Sequence, residues 1–142
     1  MPRIFEHFHT ATPDEIDQLA HVNNLAYLRW MMAAAAAHSK AQGWSTERYL
    51  ELGAAWIVRS HEIKYLMAAY EGDRIIVRTW IDDLKHFSSL RKYKIVRTAD
   101  QALLAAAATE WAFVDLKSGT LKRIPSEVAA AYEVGGPAEP SA

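Results

Sequence analysis

The run Asp14-Glu15-Ile16-Asp17-Gln18-Leu19-Ala20-His21-Val22-Asn23-Asn24 gathers carboxylate, imidazole and carboxamide groups more densely than any other part of the chain. It leads directly into Asn24 to Lys40, a segment with Leu28, Met31, Met32, five consecutive alanines and no Gly or Pro, which predicts one long helix. Asn23 and Asn24 are good N-cap residues, and Gly43 supplies a stop. The first N–H groups of such a helix lack intrahelical partners, and the macrodipole adds partial positive charge, so a developing oxyanion would be stabilised there. A carboxylate just upstream, Asp17 or Glu15, would activate water. The same residues would equally serve as plain helix caps, and their types alone do not choose between these roles.

The elements that must position this junction are mostly strands. Residues 3–10 alternate loosely and carry aromatic side chains, which predicts a first strand. Ser45 fits the cap of a short helix ending at Leu52. Beyond Trp56 the composition turns β-type. Ile57 to Met67, Arg74 to Asp83, Ser88 to Ala99 and Ala102 to Leu116 are four strand candidates separated by turn residues, and their short connections predict an antiparallel meander. In the second of these, Ile75, Val77, Thr79 and Ile81 share a face opposite Arg78 and Asp82, the pattern of a half-buried strand. The alanines from Ala102 onward favour helix by propensity. The alternation of Thr109, Trp111, Phe113 and Asp115 overrides it. Pro125-Ser126 opens a terminal helix to Tyr132. The layout is α+β, a single domain over residues 1–132 followed by a frayed tail over 133–142. One helix cannot cover five long strands, so the uncovered area and the free sheet edge predict a two-fold dimer.

Composition narrows the function further. The 142 residues fit one domain; 51% are hydrophobic, and 16 Lys+Arg against 17 Asp+Glu leave a net charge of −1. No global basic field points to nucleic acid or an anionic membrane. Absence of Cys excludes disulfides, thiolate metal sites and a Cys nucleophile. The N-terminus lacks the apolar stretch of a secretory signal, and Trp30 to Ala37 and Ala102 to Ala108 are too short to span a bilayer, so a soluble cytoplasmic protein is expected. His7 with His9, and His61-Glu62, lack metal-site spacing, and no metal is expected. Ser118-Gly119 and Ser88-Ser89 lack the flanking glycines of a nucleophile elbow. Lys85, His86, Arg91, Lys92, Lys94 and Arg97 form a local basic cluster that would suit an anionic partner or an ordinary solvated face. Strand alternation sets Arg91 and Arg97 opposite Lys92 and Lys94.

Asp17-Gln18-Leu19-Ala20-His21-Val22-Asn23-Asn24 with Tyr27-Leu28 resembles the D-x-x-G-H-V-N-N-x-x-Y signature of hotdog-fold thioesterases of the 4-hydroxybenzoyl-CoA type, which act on acyl-CoA and acyl-carrier-protein thioesters. Ile63-Lys64-Tyr65 through Glu71-Gly72-Asp73 with Val77-Thr79-Trp80, and Thr109 to Asp115, resemble the same family at matching intervals. The likeness covers roughly residues 3 to 130. Two positions depart from the pattern. Ala20 replaces the usual Gly before His, and Ala68 a common Pro.

The resemblance implies a curved five-stranded antiparallel sheet wrapped around one helix and continued across a homodimer, or a dimer of dimers, with sites at the interface. It also implies that Asp17 is the general base or nucleophile and that the Asn24 N–H polarises the carbonyl. His21 and Asn23 would then orient the reacting groups, and Tyr27 would line the acyl pocket or serve as a plain core aromatic. Separately from the resemblance, the basic cluster, Arg91 included, would either receive the CoA phosphates or the acidic surface of a carrier protein or form an ordinary solvated face. Acyl-CoA or acyl-carrier protein would be the substrate, with no cofactor beyond it. The competing functions are an acyl-thioester hydratase or dehydratase on the same fold, whose D-x-N-x-x-H spacing is not matched by Asp17 and His21, and a non-catalytic binding module.

Overall fold

The structure, a computed structural model, describes residues 3–137. Its elements are β1 (Phe5–Thr10), α1 (Asn24–Ala41), α2 (Thr46–Leu52), β2 (Ala54–Tyr65), β3 (Arg74–Leu84), β4 (Ser88–Arg97), β5 (Leu103–Asp115) and a short α3 (Ser126–Ala129). All five strands form one antiparallel sheet in the order β1-β3-β4-β5-β2. This is the expected α+β arrangement.

Side-chain size explains how α1 fits the sheet. Ala26, Tyr27, Trp30, Met31, Ala34, Ala35 and His38 are buried along one stripe, and the small members let the helix lie close to the strands. Opposite them on β5, Ala105 is fully buried in the same core as Ile75, Val77, Tyr93, Ile95 and Leu104. The alanines that favour helix by propensity are thus recruited into an inner strand, where β4 and β2 satisfy the backbone on both sides. A second cluster, Trp44, Tyr49, Ala54, Phe113, Ile124 and Val128, packs α2 and α3 onto the sheet. Ser45 caps α2 by accepting from the Arg48 N–H, as its type predicts.

Three expectations need correction. Only β3, β4 and β5 form a meander; β2 lies at the far edge, hydrogen-bonded to β5. Residues 66–73 cross between β2 and β3, three interstrand spacings or about 14 Å, a gap that eight extended residues span easily at roughly 3.3 Å each. Second, β3 is buried on both faces, because Ile76 and Trp80 are covered as well as Ile75, Val77, Thr79 and Ile81. Third, the terminal helix stops at Ala129, and the chain continues as an ordered segment. Val134 forms a parallel bridge to Ile81, the Gly135 N–H donates to the Ile81 carbonyl, and Gly136 sits against the Trp80 indole, covering that side chain on the outer face. The rest of the expected tail, 138–142, lies outside the described residues. Among those described, no helix is long and apolar enough to cross a membrane.

Candidate active site

The polar run folds into a tight loop whose two ends are tied together. Ile16 and Val22 form an antiparallel bridge, the Asp17 N–H donates to the His21 carbonyl at 3.0 Å, and the Ala20 N–H donates to the Asp17 carbonyl at 3.1 Å. Closing so short a loop needs one left-handed residue. Ala20 takes it, at φ 65°. Gly occupies such a conformation without penalty, whereas the Cβ of Ala makes it costly. The loop is then pinned to the crossing segment 66–73, because the Val22 N–H donates to the Ala69 carbonyl at 2.8 Å.

Within this loop Asp17 Oδ1 accepts the Leu19 N–H at 2.8 Å, an Asx turn that fixes the carboxylate, and the same oxygen lies 3.8 Å from His21 Nδ1. Oδ2 has no partner among the described residues, and the Asp17 side chain is one-third exposed. Asn23 is the N-cap of α1. Its Oδ1 accepts the Ala26 N–H at 2.9 Å, and its N–H and Nδ2 both donate to the Glu15 carbonyl. The N–H groups of Asn24 and Leu25, at the first two positions of the 18-residue helix, make no hydrogen bond among the described residues. Asp17 thus has a carboxylate oxygen without a partner, and the start of α1 has two unpaired N–H donors.

Glu15, the alternative base, has a different environment. It is buried, and its carboxylate accepts from His9 Nε2 and the Thr12 N–H at 2.9 Å and from Trp30 Nε1 at 2.7 Å. Burial alone would raise its pKa. The hydrogen bonds from His9, Thr12 and Trp30 outweigh that and hold it below the ordinary carboxylate value. Glu15 is thus a strut between β1, the loop and α1, with its acceptor sites occupied by the protein.

Tyr27 sits as a core aromatic in the chain. It is buried, packed against Trp30 and edge-on to Tyr65, and its hydroxyl reaches the Met67 carbonyl at 3.5 Å. Tyr65, given no role by sequence beyond its place in the second matching stretch, donates its hydroxyl to the Asn24 carbonyl at 3.2 Å and ties β2 to the start of α1. Leu19, Leu25, Leu66, Met67 and Tyr70 surround this junction and are all exposed.

Arg91 stands apart from the rest of the basic cluster. Alternation correctly separates it from Lys92, but the face it occupies is the inner one, where it is buried beneath α1. The basic cluster loses further members to carboxylates. Lys92 pairs with Asp82, Lys85 approaches Asp83, and Arg97 binds both Asp73 and Asp100. Among the described residues no group of three His, Cys, Asp or Glu is placed to hold a metal ion.

A family model of the Thioesterase-like superfamily matches residues 11–132. Solved structures with the same fold include a 1,4-dihydroxy-2-naphthoyl-CoA thioesterase from Synechocystis, at 19% identity and a TM-score of 0.84 over 90% of this chain and 94% of that one. A gentisyl-coenzyme A thioesterase aligns at 16% identity and a TM-score of 0.81 over 90% and 99% of the two chains. A DHNA-CoA thioesterase from Staphylococcus aureus aligns at 18% identity and 0.79 over 84% and 80%. No curated protein sequence gives a match. The matched span takes in the loop, the long helix and all of β2 to β5, and with the shared fold it establishes that this chain belongs to the thioesterase-like superfamily as a hotdog-fold member.

Proposed function

We propose that the protein hydrolyses acyl-CoA thioesters at a site centred on Asp17. The observation that carries this reading is the unpartnered Oδ2 of Asp17, held by the Asx turn just ahead of the free Asn24 and Leu25 N–H groups. With the thioester carbonyl directed at those N–H groups, Asp17 takes a proton from water as the water oxygen attacks the carbonyl carbon. The tetrahedral oxyanion is held by the helix start; its collapse breaks the C–S bond, and the proton held by Asp17 passes to the departing sulfur, which leaves as the free thiol. Direct attack by the carboxylate, forming a mixed anhydride that water then cleaves, uses the same atoms. His21, 3.8 Å from the carboxylate, orients the water or the carbonyl, and Asn23 holds the helix start in place.

The site is completed by a second copy of the chain. Edge strand β2 has one unpaired side, and the apolar side chains around Asp17 are uncovered, so a homodimer would enclose the reaction. Coenzyme A enters only as the thiol part of the substrate, and no cofactor is needed. Two of the structural neighbours are thioesterases for aromatic acyl-CoA esters, 1,4-dihydroxy-2-naphthoyl-CoA and gentisyl-coenzyme A, and another is an oleoyl thioesterase, so the acyl panel should hold both aromatic and straight-chain esters. Thiol release from benzoyl, hydroxybenzoyl and straight-chain acyl-CoA esters tests the reading. Release from at least one, at a rate proportional to enzyme, is expected. No release from any of them, with hydration of an enoyl-CoA instead, would replace it by the hydratase reading.

A further inference from the structure

A cavity of about 660 Å³ lies between the C-terminal half of α1, α2 and the inner face of the sheet. None of Asp17, His21, Asn23 or Asn24 lines it. Its wall is largely apolar and aromatic, with Met32, Trp44, Trp56, Trp111 and Tyr132 prominent. The other charged residues lining it, Lys40 and Glu47, are exposed, whereas Arg91 is only 5% exposed.

The surroundings of Arg91 leave its charge uncompensated. Nη1 donates to His38 Nδ1 and to Thr79 Oγ1, each at 3.0 Å. Both acceptors are neutral at physiological pH, since burial, reinforced by the adjacent guanidinium, lowers the His38 pKa to about 4. Among the described residues no carboxylate pairs with Arg91, and its Nε and Nη2 find no acceptor, although Arg78 and Arg97 at the surface each have a carboxylate partner. A guanidinium keeps its charge, and removing it from water costs several kcal/mol that neutral acceptors offset only in part. Trp111 presents its ring to the cavity, while its indole N–H lies by Tyr93, which does not line the cavity. That N–H is buried and makes no hydrogen bond of proper geometry, the Tyr93 hydroxyl being turned to Thr109.

We propose that this cavity binds an organic acid with an apolar body, its carboxylate seated on Arg91 and its body lying among Trp44, Trp56 and Trp111. The guanidinium fork matches a carboxylate in shape as well as charge. The aromatic wall supplies the dispersion and apolar contact that a hydrocarbon or ring needs. This does not depend on the hydrolytic reading of Asp17, because the ligand is recognised by residues outside that loop and the readout is binding.

Three of the five tryptophans line the cavity, so intrinsic fluorescence reports occupancy, with calorimetry as a second measure. Octanoate and 4-phenylbutanoate are each compared with their primary amides on the wild-type protein. The acids should bind about tenfold or more tightly than the amides, the difference between a charge-assisted and a neutral hydrogen bond. Arg91→Gln should abolish that preference while still binding the amides. The proposal is overturned if neither acid binds, if the amides bind as well as the acids, or if the preference survives in Arg91→Gln. The comparison on wild type stands even if that variant fails to fold. A further arm identifies the source of the carboxylate. Faster cleavage of a CoA thioester bearing a distal carboxylate than of its methyl-ended analogue, lost in Arg91→Gln, assigns it to the substrate; acid binding without that preference assigns it to a separate small acid.

Discussion

Acidification should destabilise this fold through one buried side chain. His38 is 3% exposed and stacked on Phe5, its Nδ1 accepts from Arg91, and burial followed by the Arg91 charge moves its pKa from 6.5 to about 4. Between those two values the unfolded chain binds a proton that the folded one refuses, so stability is complete above pH 6.5 and falls as the pH drops toward 4. Each pH unit of separation corresponds to about 1.4 kcal/mol. The loss is therefore about 2 kcal/mol at pH 5 and on the order of 3 kcal/mol once pH 4 is passed. Burial lowers His7 and His61 as well, and they add smaller losses of the same sign. Glu15 acts lower still, since its depressed carboxylate contributes stability that is lost only as the pH falls through its folded value. Urea unfolding of wild type and His38→Gln at fixed ionic strength, from pH 4.5 to 7.5, isolates the His38 part. Glutamine keeps an acceptor for Arg91 but cannot titrate. The wild-type curve should fall more steeply on acidification, the two converging by about 2 kcal/mol between pH 7 and pH 5. Parallel curves would refute the reasoning.

Other positions give independent checks. Ala20→Gly relieves a left-handed alanine and should raise stability by roughly 0.5–1 kcal/mol, net of the extra freedom of the unfolded chain; a lower urea midpoint would contradict the strain argument. Glu15→Gln removes charge from a carboxylate that accepts three buried or half-buried hydrogen bonds, and should cost about 2–4 kcal/mol in chemical unfolding while a folded fraction keeps its turnover number. Asn23→Ala should cost about 1 kcal/mol through the lost cap. Sedimentation at micromolar concentration should show a dimer or larger, and a 16 kDa species alone would remove the proposed enclosure of the site.

Much of this architecture is legible in local pattern. Asn23 caps α1 as its type predicts, Gly43 follows the end of that helix, and alternation places Ile75 to Ile81 and Thr109 to Phe113 on strands. Non-local choices are not legible. Nothing in residues 66–73 announces that they cross the sheet and carry β2 to its far edge, because pairing partners are decided by the packing of the whole sheet. The candidate site divides in the same way. The spacing from Asp17 to Asn24 foretells a carboxylate ahead of a helix start, yet the separation of Asp17 from Glu15 rests on which of them meets Trp30 fifteen residues away. Arg91 shows the limit most clearly. Its alternation with Lys92 is readable, and its shared parity with Tyr93 and Ile95 is a sequence signal for the inner face, but that it lies beneath α1 beside His38 depends on the packing of the helix.

The central claim is that Asp17 carries thioester hydrolysis, and replacing its free oxygen by an amide tests it most directly. Asp17→Asn keeps the size of the side chain and the acceptor for the Leu19 N–H, so the loop and the unfolding midpoint should be preserved. Turnover of the best CoA ester found for wild type should fall by roughly 10²–10⁴, the range for loss of a positioned general base. An Asp17→Asn enzyme that folds normally and retains most of the wild-type kcat would contradict the assignment.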